Sequence, residues 1–129
     1  EPVMGHGESI LVVEDNAEVR LLATRRLWQL GYKTREADSA AHAISVLSDN
    51  DAVDLVFSDV VMPGGMSGFD LAQWMHEHCP GMPVLLTSGY ARMAEGASSS
   101  SGEATPLLRK PYTAVELSLA LSQAFRRRG

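Results

Sequence analysis

Ile10-Leu11-Val12-Val13-Glu14-Asp15-Asn16 is the stretch on which the fold turns. Four apolar residues in a row, too few for a buried helix and without polar alternation, read as a strand covered on both faces. The run ends in two acids and then Asn16, a good helix N-cap. Val19, Leu22, Ala23, Arg26, Leu27 and Leu30 follow at helical spacing, and Gly31 stands where a C′ glycine belongs. The unit is therefore a strand, an acid-bearing turn and a helix.

Working outward, the same unit recurs. Tyr32 to Ala37 is a more polar strand, as at a sheet edge, and Ser39 caps a helix through Ala40, Ala43, Ile44 and Leu47. Asp54-Leu55-Val56-Phe57-Ser58-Asp59 is again a buried strand with an acid at its end. Met62 to Met66 is a loop, and Ser67 with Asp70 makes a near capping box for a helix through Leu71, Trp74 and Met75. Pro80-Gly81 stops it, and Pro83 to Thr87 is the fourth strand. Between Tyr90 and Ala104, Gly96, Gly102 and the serines Ser98 to Ser101 oppose the helical start at Ala91, Met93 and Ala94. A short or frayed helix and a mobile loop are expected there. Pro106 to Arg109 is a fifth strand, and Thr113 with Glu116 caps a last helix bearing Leu117, Ala120, Leu121 and Ala124.

Five strand–helix alternations call for a parallel sheet with helices on both faces, since parallel neighbours need crossover connections. The chain has 129 residues, 45% hydrophobic and 21% charged, the size and make-up of one packed domain. Residues 1–8 read as a flexible lead-in and 9–127 as the domain. A net charge of −5 gives no general pull toward nucleic acid or anionic membrane, and Arg126, Arg127 and Arg128 read as a solvated helix end. The single cysteine, Cys79, and the absence of a long apolar run fit a reducing, cytoplasmic setting. His76 and His78, two apart on a helix, make a poor metal pair.

In a parallel sheet the carboxyl ends of the strands gather at one rim, where ligands collect. Glu14 and Asp15 end the first strand, Asp59 the third and Thr87 the fourth, and Lys110 follows the fifth. Acids gathered at one rim repel and stay charged together only with a cation among them. Oxygen ligands with spare water positions suit Mg²⁺ or Mn²⁺, which can neutralise charge on a transferring phosphoryl group. Lys110 offers a point charge, Thr87 a hydroxyl donor, and Asp59, held by the central strand, a carboxylate nucleophile able to become an acyl phosphate.

These residues, in this order, resemble the response-regulator receiver family from about Ser9 to Phe125. The matching pieces are Ile10 to Asn16, Ser58-Asp59-Val60-Val61-Met62-Pro63, Thr87-Ser88-Gly89 and Lys110-Pro111. The resemblance implies a flavodoxin-like three-layer sandwich with a five-stranded sheet of order 2-1-3-4-5 and five helices. It implies Asp59 as acceptor of a phosphoryl group from a histidine kinase or histidine phosphotransfer protein. Asp15, Asp59 and the Val61 carbonyl would bind Mg²⁺, with Glu14 acting through water, and Thr87 and Lys110 would hold phosphoryl oxygens. A cis Lys110–Pro111 bond, a monomer or weak dimer, and no contact of its own with nucleic acid or membrane belong to the same expectation. The Met62-Pro63-Gly64-Gly65-Met66-Ser67-Gly68 loop resembles receivers at the C-terminus of hybrid histidine kinases.

Leu107 stands where the family commonly has Tyr or Phe, three residues before the lysine; Tyr90 or Tyr112 could substitute, though packing at the edge of the core is the stronger reading of each. That departure leaves a second function in view, a pseudo-receiver that binds partners without phosphorylation. Flavin binding is disfavoured because Glu14 and Asp15 have the wrong charge for a phosphate-cradling turn. A dehalogenase-type phosphatase would place an acid where Val61 stands.

Overall fold

The computed structural model describes residues 2–49, 52–62, 65–88 and 106–126. The strands are β1 (Ser9–Val13), β2 (Lys33–Ala37), β3 (Leu55–Asp59), β4 (Val84–Ser88) and β5 (Leu107–Arg109). The helices are α1 (Ala17–Gln29), α2 (Ala40–Ser48), α3 (Gly68–His78) and α4 (Ala114–Arg126). The strands form one sheet of order β2-β1-β3-β4-β5, parallel at every pairing. The short helix expected between Tyr90 and Ala104 lies outside the described residues, as do Gly89, Arg127 and Arg128.

Strand residues alternate between faces, and the apolar runs feed two cores. Ile10, Val12, Leu55, Phe57 and Leu85 pack with Ala23 and Leu27 of α1 and Leu117 and Leu121 of α4. Leu11, Val13 and Val56 pack on the other face with Ala43 of α2 and Leu71 and Met75 of α3. Burying a leucine side chain stabilises by about 1.5–3 kcal/mol, which is why unbroken apolarity marks β1 and β3 as inner strands. β2 is polar because it lies at the edge.

The caps fall where the sequence puts them. Asn16 accepts from the Glu18 and Val19 amides, and Ser67 and Asp70 exchange bonds of 3.1 and 2.9 Å in a complete capping box. Thr113 and Glu116 do the same at α4, at 3.0 and 2.8 Å. The face of α1 is narrower than its periodicity suggests. Ala23, Leu27 and Leu30 are buried, but Val19 and Leu22 are 39% and 57% exposed.

The segment before β1, expected to be a flexible lead-in, is bonded to the domain. Its Gly5 and Gly7 amides donate to the Leu30 and Gly31 carbonyls at 2.6 and 2.8 Å, and the Val3 amide donates to Ser118 Oγ at 3.0 Å. A helix C-terminus leaves carbonyls without intrahelical partners, and this strap supplies donors to that end of α1. Gly31 has φ +93° there, and a Cβ on it would stand 2.8 Å from the Gly5 carbonyl oxygen. Glycine suits the position on both counts.

Candidate functional site

Register builds the site. Val13 pairs with Ser58 and Asp59 with Thr87, so one residue beyond Val13 brings Glu14 beside Asp59, with Thr87 on the other side. Backbone bonds then fix the rim: Glu14 to the Ala37 carbonyl at 3.0 Å, Val60 to that of Thr87 at 2.9 Å, and Lys110 to that of Ser88 at 2.9 Å. The Gly68 amide donates to the Val60 carbonyl at 2.8 Å, holding the start of α3 against the turn after Asp59.

Asp59 is engaged on both carboxylate oxygens. Oδ1 accepts from the Val61 amide at 3.3 Å, and Oδ2 lies 3.4 Å from Lys110 Nζ. Lys110 Nζ also stands 4.0 Å from Glu14 Oε1, so one cation faces two acids. Thr87 is buried, and the bond between Lys110 and Pro111 is cis, as the resemblance implies. Asp15 is exposed at the lip. A cavity of about 20 Å³ opens among Glu14, Asp59, Thr87, Lys110, Val19 and Tyr112, room for about one water molecule.

Electrostatically the rim is short of positive charge. Burial raises the Glu14 carboxyl from 4.5 to about 7; the Asn16 amide opposes this, while Asp15 and Asp59 push the same way. A cation at the rim would favour the charged form. Among the described residues no three of His, Cys, Asp and Glu are grouped so as to hold a metal ion. Mg²⁺ keeps several waters and takes one or two carboxylates, and Glu14, Asp15 and Asp59 offer oxygen donors of that class.

Other residues at the site carry no recognisable local pattern. Arg20 donates from Nη1 to the Glu14 carbonyl at 2.7 Å and pairs through Nε with Glu36 at 2.9 Å, tying α1 to the ends of β1 and β2. Tyr112 lies edge-on to Phe57, with ring centroids 6.4 Å apart, and the Arg26 guanidinium sits 5.4 Å from its ring centroid. Burial raises the Tyr112 phenol above its usual range; Arg26 opposes this, and the charges of Glu14 and Asp59 add to it. Tyr90 lies outside the described residues. His78 stacks on Trp74, with centroids 4.5 Å apart, in keeping with a packing role for that part of α3.

Residues 10–122 match the response regulator receiver domain. The chain belongs to the response regulator receiver domain family. Over 116 residues it is 31% identical to the sensor kinase CckA of Brucella abortus, covering 89% of this chain and 12% of that protein. Over 111 residues it is 33% identical to the DNA-binding transcriptional regulator NtrC of Rhizobium meliloti, covering 86% of this chain and 22% of that protein. The chain thus spans only a small part of the length of these relatives. Among solved structures it resembles the receiver domain of NtrX from Brucella abortus, with TM-score 0.81 and 30% identity over 92% of this chain and 98% of that one. A response regulator receiver domain protein from Clostridium thermocellum gives TM-score 0.83 at 27% identity, covering 93% and 95%. Receiver domains belong to two-component signal transduction and are phosphoryl acceptors rather than classical enzymes. Among the described residues no helix is long and apolar enough to cross a membrane.

Proposed function

We propose that this domain accepts a phosphoryl group on Asp59 from a phosphohistidine donor in a Mg²⁺-dependent reaction, and that acceptance switches a partner interaction. The observation that carries the reading is the pairing of Asp59 with Lys110 at 3.4 Å, with Thr87 in register opposite. In the transfer the P–N bond of the donor breaks, a P–O bond forms to an Asp59 carboxylate oxygen, and the electron pair returns to the imidazole. Lys110 and Thr87 hold phosphoryl oxygens, and the Val61 amide orients the Asp59 carboxylate. Asp15, Asp59 and the Val61 carbonyl would hold Mg²⁺, with Glu14 acting through water, and the bound ion would supply positive charge to the phosphoryl oxygens. Mn²⁺ suits the same oxygen donors.

Incubation with acetyl phosphate and Mg²⁺, read by intact mass, tests this. One phosphoryl group per chain is expected, lost when the metal is chelated. An unmodified wild type would move the assignment to a phosphorylation-independent interaction module.

The setting we infer is the cytoplasmic C-terminal receiver of a hybrid histidine kinase, acting as a monomer or weak dimer without nucleic-acid contacts of its own. The form of the Met62–Gly68 loop supports it, as does similarity to the sensor kinases CckA and LuxN. A kinase or phosphotransfer protein would meet the domain beside Asp59. There Val19 lines the cavity, and Leu22, one helical turn on, stands open to solvent. Leu22→Glu is expected to slow transfer from a radiolabelled phosphotransfer protein about tenfold, the effect of losing one buried apolar contact and burying a charge. Uptake from acetyl phosphate should not change. Equal rates with the protein donor would remove α1 from the docking surface.

A further inference from the structure

We infer that Arg26 and Tyr112 are positioning residues that hold Lys110 against Asp59, an inference that rests on the acceptor reading above. Lysine is a flexible point charge on a four-carbon stem, so its effect at a fixed distance depends on how firmly its backbone is held. On one side that backbone is anchored, since the Lys110 amide donates to the Ser88 carbonyl at 2.9 Å. On the other side β5 has ended at Arg109, and the sheet offers no further rung.

Tyr112 supplies the second anchor. Its ring meets Phe57 edge-on at an interplanar angle of 72°, and Phe57 lies two residues before Asp59 in β3. The turn that carries the lysine is thereby packed against the strand that carries the acid. Arg26 adds to this from α1: its guanidinium stands over the Tyr112 ring, and its Nη1 donates to the Tyr112 carbonyl at 3.4 Å. Tyr112 also lines the same cavity as Glu14, Asp59 and Lys110. Lys110 is thus bracketed by a sheet bond at its own amide and an aromatic clamp two residues on. A displacement of about 1 Å at such a group can cost about a hundredfold in rate.

Core packing alone would also place an aromatic here, so the test must separate packing from positioning. Uptake from acetyl phosphate with Mg²⁺ is measured for the wild type, Tyr112→Phe, Tyr112→Ala and Arg26→Gln. The same three substitutions are then made in a Lys110→Ala background. Tyr112→Ala should slow uptake about tenfold and Arg26→Gln about threefold, the weaker loss expected of a cation–π contact. Tyr112→Phe, which keeps the ring and the carbonyl, should match the wild type. Once Lys110 is gone, none of the substitutions should cost anything further. Equal losses in both backgrounds overturn the inference, because a packing defect does not act through the lysine. Wild-type rates in both Tyr112→Ala and Arg26→Gln overturn it as well. Should Tyr112→Ala fail to fold, Arg26→Gln at an exposed position decides the matter alone. A wild type that takes up no phosphate overturns the acceptor reading and this inference together; normal uptake with insensitive variants overturns the inference alone.

Discussion

Asp59→Asn is expected to take up no phosphoryl group from acetyl phosphate and Mg²⁺, a loss of about a hundredfold or more read by intact mass. The size of the effect follows from the chemistry. The carboxamide has the shape of the carboxylate but lacks its anionic oxygen, and removing a nucleophile removes the covalent step itself. Stability should move far less, by about 1 kcal/mol at most, because the Lys110 pair is partly solvated and such pairs contribute little. Loss of the rival negative charge beside Glu14 acts in the opposite direction. The separation of the two readouts matters: a folded, unmodified variant assigns the chemistry to Asp59. Labelling of Asp59→Asn at the wild-type rate would place the acceptor elsewhere.

Gly68→Ala should damage both stability and acceptance. A Cβ on Gly68 would collide with the Asp59 carbonyl oxygen and come within 2.9 Å of Val60 Cα. Both are backbone atoms, which cannot swing aside as a side-chain tip can. Relief requires α3 to retreat or the turn after Asp59 to move, and overpacking of this kind costs about 1–3 kcal/mol. Urea unfolding should show a lower midpoint with an unchanged slope. Uptake at Asp59 should slow about tenfold or more, because the displaced atoms belong to Asp59, the proposed acceptor. Gly81→Ala is the useful comparison. Its φ of +91° strains any side chain, but nothing stands within 4 Å of the added carbon. It should lose stability while keeping acceptance, so an equal loss of uptake in both variants would show that the contact with Asp59 is not the cause.

The inner strands were legible because residues covered on both faces must be apolar throughout, and Leu11 and Val56 leave no ambiguity. The polar β2 announced its edge position for the same reason. The rim residues were legible too, because a parallel sheet brings every strand end to one side. Exposure on α1 was not. Val19 and Leu22 share the helical spacing of Leu27, and periodicity cannot tell how wide a face the sheet covers. The strap before β1 is not legible because its bonds to the end of α1 run through backbone amides, on which side-chain patterns are silent. The Arg26–Tyr112 contact joins residues 86 apart in sequence; only the packing of α1 and α4 on one face of the sheet brings them together. Gly68 did carry a signal: glycine opening a helix is a poor choice locally, and that cost hints at a close approach.

The strap also sets how the chain enters the sheet. Gly5 and Gly7 fasten it at the Leu30–Gly31 end of α1, beyond the amino ends of the strands, and Val3 fastens it to Ser118 on α4. Asp59 lies at the carboxyl ends, and a five-residue strand spans about 17 Å. The entering segment is thereby moored to two helices at once, and none of its residues lines the cavity beside Asp59. The acidic rim stays open however firmly that segment is held.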